Sequence, residues 1–268
     1  MEEKNFPIEV KLMKFKTMLG ILMFLLIICS CAKSGNINNI KDLENKTIGI
    51  KKGTVVGDLT LEVIPSARIK YLADLEVMYS DLVRGGVQAI ADDEPALRSL
   101  AGKKDDVKLL RDLITIDDYG FATAINRPEM IAVVNKVFEE LKRNGTFDEI
   151  IKRWFPEHGT PEKMPEIRLE PKNGVLRFGT SSVTEPFSYL DRQGQVIGLD
   201  IELAHYIAKE LGMGLEIIDM PFQSMIPKVI AHKVDVIGGC ITITAFRQKH
   251  VLFSQSYYRG GVAAMVVK

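Results

Sequence analysis

The chain has 268 residues, 35 basic and 35 acidic, so its formal net charge is zero, and 46% of its residues are apolar. That balance excludes a nucleic-acid binder held by basic excess and a charge-rich disordered chain. The single tryptophan, 21 glycines and 11 prolines exclude low complexity, and the length admits one large or two small domains.

Residues 18–28 (MLGILMFLLII) form an uninterrupted apolar run, preceded by Lys11, Lys14 and Lys16. It is short for a membrane span and has the length of a signal-peptide core. The acidic stretch 1–10 lies upstream, and Met13 is a second candidate initiator. The run ends Ile28-Cys29-Ser30-Cys31, which resembles the lipobox of bacterial lipoproteins. That resemblance implies a signal peptide over 1–31 and a lipid on Cys31; a plain membrane anchor is the other reading. Cys29 then leaves with the signal, Cys240 stays alone, and no intramolecular disulfide is expected.

Residues 32–42 read as a tether. A strand is expected at 47–50, then a sharp turn through Gly53 and Thr54 into a helix starting near Asp58. Backbone N–H groups at such a helix start favour an anion, although an ordinary strand-to-helix loop has the same composition. A strand at 67–72, a helix at 75–84 stopped by Gly85-Gly86, and a strand at 87–91 follow. Asp92, Asp93, Glu94 and Pro95 then stand at a strand's carboxyl end, where open α/β sheets bind ligands. Alternatively Asp92 or Asp93 caps a helix opened by Pro95.

Further strands are expected at 107–113 and 119–125, a helix from Pro128 with Ile131, Val134, Phe138 and Leu141 on one face, and a short helix at 147–155. Residues 156–173, rich in proline and charge, read as a linker. Past it come a strand at 175–179, a turn at 191–194, an amphipathic helix at 198–212 and a strand at 215–218. Residues 234–237 read as a buried strand running into Gly238, Gly239 and Cys240, small residues that let something approach closely. Thr242, Thr244 and Arg247 follow on a helical turn. Arginine's rigid fork of donors matches a carboxylate, whereas lone threonines usually cap helices and lone arginines face solvent. A last strand covers 261–268.

The stretch 235–258 resembles lobe 1 of the extracellular solute-binding proteins, family 3, the amino-acid receptors of ABC transporters. Asp235, Thr242, Thr244, Arg247, Val251, Phe253, Ser254 and Tyr258 fall in its register, and Cys240 stands where the family has glycine. Residues 175–212 resemble the family's opening segment, 119–155 its closing segment, and Lys51, Gly53 and Thr54 its lobe 2 carboxylate loop. The resemblance implies a type II periplasmic-binding-protein fold, α/β and two-lobed, with the lobes in permuted order. Lobe 2 is expected at 43–117, the closing strand and helices of lobe 1 at 118–155, a linker at 156–173 and the lobe 1 core at 174–268. A truncated tandem array is the alternative; circular permutation is preferred because each element occurs once.

By the same resemblance Arg247 and Thr242 take a ligand carboxylate, joined by the Gly53–Thr54 backbone, and Asp93, with Asp92 as the fallback, takes the ammonium. Cys240 forms the pocket floor. Phe222 packs either on the ligand or in the core, and Thr184 replaces a stacking aromatic. The implied protein is an exported, lipid-anchored receptor working with an ABC transporter permease on an amino-acid-like solute, without cofactor, metal or nucleic acid. A cyclohexadienyl dehydratase-like enzyme acting on prephenate or arogenate, or a sensor module, are the alternatives on the same fold. Glu94 and Glu185 are the acids the enzyme reading would use, and no catalytic constellation surrounds either.

Overall fold

The computed structural model describes residues 37–156 and 163–268. The apolar run, Cys29, Cys31 and the middle of the linker lie outside the described residues. In chain order the strands are β1 (Thr47–Lys51), β2 (Arg68–Leu72), β3 (Ala89–Asp93), β4 (Val107–Leu109), β5 (Asp117–Tyr119) and β6 (Ala122–Ala124). After the linker come β7 (Val175–Thr180), β8 (Val183–Thr184), β9 (Ser188–Leu190), β10 (Val196–Ile197), β11 (Gly214–Asp219), β12 (Val236–Ile237), β13 (Val251–Phe253), β14 (Tyr258–Gly260) and β15 (Val262–Val267). The helices are α1 (Val56–Val63), α2 (Leu75–Val83), α3 (Glu94–Ala101), α4 (Pro128–Arg143), α5 (Thr146–Trp154), α6 (Leu199–Leu211), α7 (Met225–Ile230) and α8 (Ala245–Gln248).

Two five-stranded sheets organise these elements, one ordered β2-β1-β3-β15-β4 and the other β11-β7-β12-β6-β13. In each, the parallel strands are joined through helices, as helix-covered parallel sheets require. The first sheet buries Ile48, Ile50 and Ile90, and Met78, Leu82, Leu97 and Leu100 cover it from α2 and α3. Between the sheets runs a two-stranded antiparallel ribbon, β5 with β14. Tyr119 and Tyr258 face each other across it, their rings stacked 6.0 Å apart.

Four expectations need correction. The strand expected at 119–125 is two strands in different sheets, because the chain crosses between sheets at Gly120. The final strand, assigned with 174–268 to the lobe 1 core, pairs antiparallel with β3 and β4 of the first sheet, since the chain has already crossed back at β14. Residues 38–43, read as tether, include a capped turn over Ile40–Leu43 in which Asn39 and Asp42 bond each other's backbone. Val107–Leu109 is also shorter than the strand expected at 107–113.

The helix periodicities carry through. Ile131, Val134, Phe138 and Leu141 are buried on α4, which Pro128 opens, and Leu199, Leu203 and Ile207 are buried on α6. Asn144 closes α4 and its Oδ1 accepts from the Thr146 amide, so the sequon-like triplet forms a turn. One apolar cluster contains Tyr119, Phe121, Phe138 and Trp154 from before the linker and Phe178, Phe187, Leu203 and Tyr257 from after it. The linker joins in: Met164 and Leu169 pack on this cluster, and the amides of Lys172 and Asn173 donate to the Gly212 carbonyl.

A buried carboxylate pins α5 to α6. Glu202 has no exposed surface and accepts from Trp154 Nε1 at 2.7 Å and Arg153 Nη1 at 2.8 Å. Removing it strands a buried indole N–H and an arginine that loses its partner. Glu202→Ala is therefore expected to lower the unfolding free energy by about 3 kcal/mol in a urea titration, with Glu202→Gln retaining part of it. A loss below about 0.5 kcal/mol, the range of ordinary surface substitutions, would refute this role.

Candidate ligand-binding cleft

The site forms where loops at the carboxyl ends of the parallel strands meet. From the first sheet, β1 ends at Lys51, which is 5% exposed. Gly53 follows with φ +86°, a conformation that favours glycine, and a Cβ there would sit 2.8 Å from the Gln223 Cβ. The Thr54 hydroxyl donates to the Lys51 carbonyl at 2.9 Å and tightens this turn before α1.

Asp92 and Asp93 lie within β3 rather than beyond it. Asp93 precedes α3 but its side chain makes no capping bond, so the capping alternative fails. Its carboxylate accepts from the Tyr119 hydroxyl at 2.8 Å and from the Cys240 thiol. Asp92 Oδ1 takes the Asp93 amide at 2.9 Å, and Oδ2, which has no hydrogen-bond partner, stands 3.7 Å from Lys51 Nζ. Burial and the charge of Asp92 push the Asp93 carboxyl up to about 6, against Lys51, Tyr119 and Cys240. Burial alone would lower the Lys51 ammonium; Asp92 and Asp93 outweigh it and raise it.

From the second sheet comes the stretch after β12. Gly238 is needed because a Cβ would collide with the rings of Phe178 and Phe121, so the close approach there is made by the core. Thr244 caps α8, accepting from the Arg247 amide at 3.2 Å, as a lone threonine ordinarily does. Arg247 does not face solvent. It is 6% exposed, its Nη1 donates to the Thr242 carbonyl at 2.9 Å, and its Cζ lies 5.6 Å from the centre of the Phe222 ring. Lys51 Nζ lies 5.7 Å from the same ring. Phe222 is half-buried and also packs against the apolar cluster under α7, so both of its expected roles meet there.

The structure thus brings together Lys51, Asp93, Cys240, Arg247 and Phe222, with Thr242 held through its backbone to Arg247 and Tyr119. Burial pushes the Arg247 guanidinium down, and the charge of Asp93 opposes this. Thr184 is buried in β8, its hydroxyl without a partner. Glu185 is engaged by Lys103, an ion pair between the loop after β8 and the turn after α3. A cavity of about 400 Å³ opens beside Lys51, Ser181, Ser182 and Phe222.

Tyr119 and Asp200 had no site role in the sequence reading, and Lys51 had only a place in the carboxylate loop. Asp200, at the start of α6, accepts from the Tyr257 hydroxyl at 3.1 Å and from the Cys240 amide at 3.3 Å, holding the corner that carries Cys240. Cys240 needs such support, since its φ of +59° is unfavourable for a residue with a Cβ. The glycine-x-aspartate of the opening segment was the signal available.

Two α/β lobes, a crossing ribbon and charged groups converging between them define a two-lobed binding-protein fold of the type II periplasmic class. Residues 176–268 match the bacterial extracellular solute-binding proteins, family 3. The chain is 31% identical over 93 residues to the histidine-binding periplasmic protein of Escherichia coli strain K12, covering 35% of this chain and 36% of that one. It is 39% identical over 83 residues to the arginine-binding extracellular protein ArtP of Bacillus subtilis, covering 31% and 32%. Among solved structures, the arginine-bound form of a truncated arginine-binding protein of T. maritima is 41% identical, with 28% of this chain and 35% of that chain covered and a TM-score of 0.28. The chain spans about a third of the length of the curated relatives it matches.

Burial pushes the Asp200 carboxyl up to about 8, against the bonds from Tyr257 and Cys240. Its folded value lies above its unfolded one, so the unfolded chain ionises first as pH rises and the native state loses stability from about pH 4 to about pH 8. Urea titrations across that window should find a slope of up to about 1.4 kcal/mol per pH unit, flattened by Asp200→Asn. An unchanged slope in the variant would refute the assignment.

Proposed function

We propose that the protein captures an amino acid between its two lobes, as the receptor component of an ABC transporter. The observation that carries this is the burial of Arg247 from one sheet and Asp93 from the other, near enough for their charges to act on each other and each with capacity to spare. Arg247 commits one bond to Thr242, leaving donors for a carboxylate, and Asp93 is an acceptor for an ammonium. The Gly53–Thr54 loop and Thr242 complete the carboxylate end, and Phe222 covers the ligand's side chain. Closure is a hinge motion on the β5–β14 ribbon, driven by a ligand that touches both lobes. The family match and the histidine- and arginine-binding relatives support an exported amino-acid receptor. Lipidation of Cys31, with a membrane anchor and a permease partner, belongs to the same proposal.

The lobes are read as permuted. The family segment at 176–268 follows the first sheet and the helices α4 and α5 that close its own core. Asn38 and Lys268 are held by neighbouring residues of one strand edge: Lys108 Nζ donates to Asn38 Oδ1 at 2.9 Å, and the Lys268 amide to the Asp106 carbonyl at 3.0 Å.

The test is thermal unfolding of the full chain against a panel of L-amino acids, with prephenate to probe the dehydratase alternative. One amino acid at a hundred times its Kd should stabilise the native state by about 2.7 kcal/mol, and Arg247→Ala and Asp93→Asn should abolish the shift. Because Asp93 must be ionised to hold the ammonium, affinity of the wild-type protein should weaken as pH falls through about 6. No shift with any amino acid, or turnover of prephenate, would overturn the receptor reading.

A further inference from the structure

Tyr119 touches both ends of the proposed ligand site, although capture of an amino acid assigns it no contact of its own. Toward the second sheet its backbone pairs with Thr242 in an antiparallel bridge, and the Thr242 carbonyl is what holds Arg247. Toward the first sheet its hydroxyl donates to Asp93 Oδ1 at 2.8 Å. The ring between these two contacts has no exposed surface. It stacks within 4° of parallel on Tyr258, which stacks in turn on Phe155 at 4.9 Å, and Phe187 meets it edge-on at 5.8 Å. Gly260 makes room for it, since a Cβ there would sit 2.9 Å from the ring. Packing of this density holds the hydroxyl in one place.

We propose that Tyr119 is a positioning residue of the cleft: it aims Asp93 and holds it as the ionised acceptor of the ammonium, so the acid limit of ligand capture is set from the hinge ribbon. This rests on the amino-acid-receptor reading. The groups facing Asp93 define what the bond does. Burial and Asp92, its neighbour on β3, disfavour the ionised form, whereas Lys51 at the end of β1, Tyr119 on β5 and Cys240 after β12 favour it. Arg247 on α8 feels the same charge. Val262 opposes Asp93 on β15 without a charge, and Glu94 at the start of α3 is engaged by Arg98. A hydrogen bond donated to a carboxylate stabilises its charged form. Burial pushes the Tyr119 phenol up, so it stays a donor over the whole range in which Asp93 titrates. With Oδ1 committed to a rigid donor, the carboxylate is fixed in one orientation and its remaining capacity is left for the ligand.

Isothermal titration of the full chain with the common L-amino acids, the tightest binder then followed from about pH 8.5 down to about pH 5, tests the proposal. The same ligand is used for every protein, so its own titration cancels. Wild-type affinity is expected to break at about pH 6. Tyr119→Phe keeps the ring and its stacking but removes the donor, and is expected to move that break upward by about one pH unit. Tyr258→Phe removes a hydroxyl from the same ring stack without touching the bond to Asp93, and should leave the break in place. A purely structural role for Tyr119 would lower its thermal transition and weaken binding equally at every pH; that result, with the break unmoved, overturns the proposal and leaves the receptor reading standing. If Tyr119→Phe does not fold, a ring-fluorinated tyrosine at position 119, a stronger donor of nearly the same shape, decides: the break should move downward, and an unmoved break overturns the proposal. Failure of every amino acid to bind the wild-type protein overturns the receptor reading and this proposal with it.

Discussion

A buried charge survives only when it is paired and hydrogen-bonded, and four such charges meet where the two sheets face each other. Lys51, Asp92, Asp93 and Arg247 are each less than a tenth exposed. Lys51, Asp92 and Asp93 come from the first sheet and Arg247 from the second. Isolated on its own sheet, Arg247 would be a desolvated cation with one carbonyl for company. The charge of Asp93 opposes the cost of that burial without outweighing it, so the arrangement couples the two halves electrostatically before any ligand is considered.

That coupling runs into the crossing ribbon. Tyr119 sits on β5, stacks on Tyr258 of β14, and donates its hydroxyl to Asp93. The same Asp93 takes the thiol of Cys240, whose strained backbone is anchored by Asp200 from α6. One carboxylate therefore touches the first sheet, the ribbon and the corner of the second sheet. A group that neutralises or engages Asp93 alters contacts on both sides of the hinge at once, which is the differential interaction a population shift between open and closed lobes requires. Cys240 in place of glycine adds to this: its thiol supplies a contact that glycine lacks, at the cost of a left-handed backbone.

The elements were legible because apolar spacing fixes helix faces and strand burial: Ile131, Val134, Phe138 and Leu141 are all on the buried side of α4. The residue pattern from Asp235 to Tyr258 marked out Arg247 and Cys240, and the position of the acidic cluster marked out Asp93. What spacing does not carry is partnership between distant segments. Whether Tyr119 belongs to one strand or a crossing depends on Gly120 lying between two sheets, and pairing of β15 with β3 follows from tertiary contact that no local period encodes. The burial of Lys51 was illegible for the same reason. A lysine after a strand is ordinarily solvated, and only the approach of the Phe222 turn buries it. Gly238 illustrates the converse error, a small residue that admits core rings and not a ligand.

On the permuted reading, packing across the linker explains why the reordering is tolerable. The apolar cluster under α6 draws Trp154 and Phe138 from before the linker and Phe178 and Leu203 from after it, so the linker closes a core that long-range packing already defines. Its cost is loop-closure entropy, which grows only logarithmically with length, and Met164, Leu169 and the bonds to Gly212 return part of that by docking the linker itself. Asn38 and Lys268 are both held beside β4, whereas the ribbon that joins the lobes is continuous at β5 and at β14. A cut at the sheet edge spares the two connections on which hinge closure depends. A cut in the ribbon would free one lobe from the other and separate Arg247 from Asp93, whose charges act on each other across the cleft.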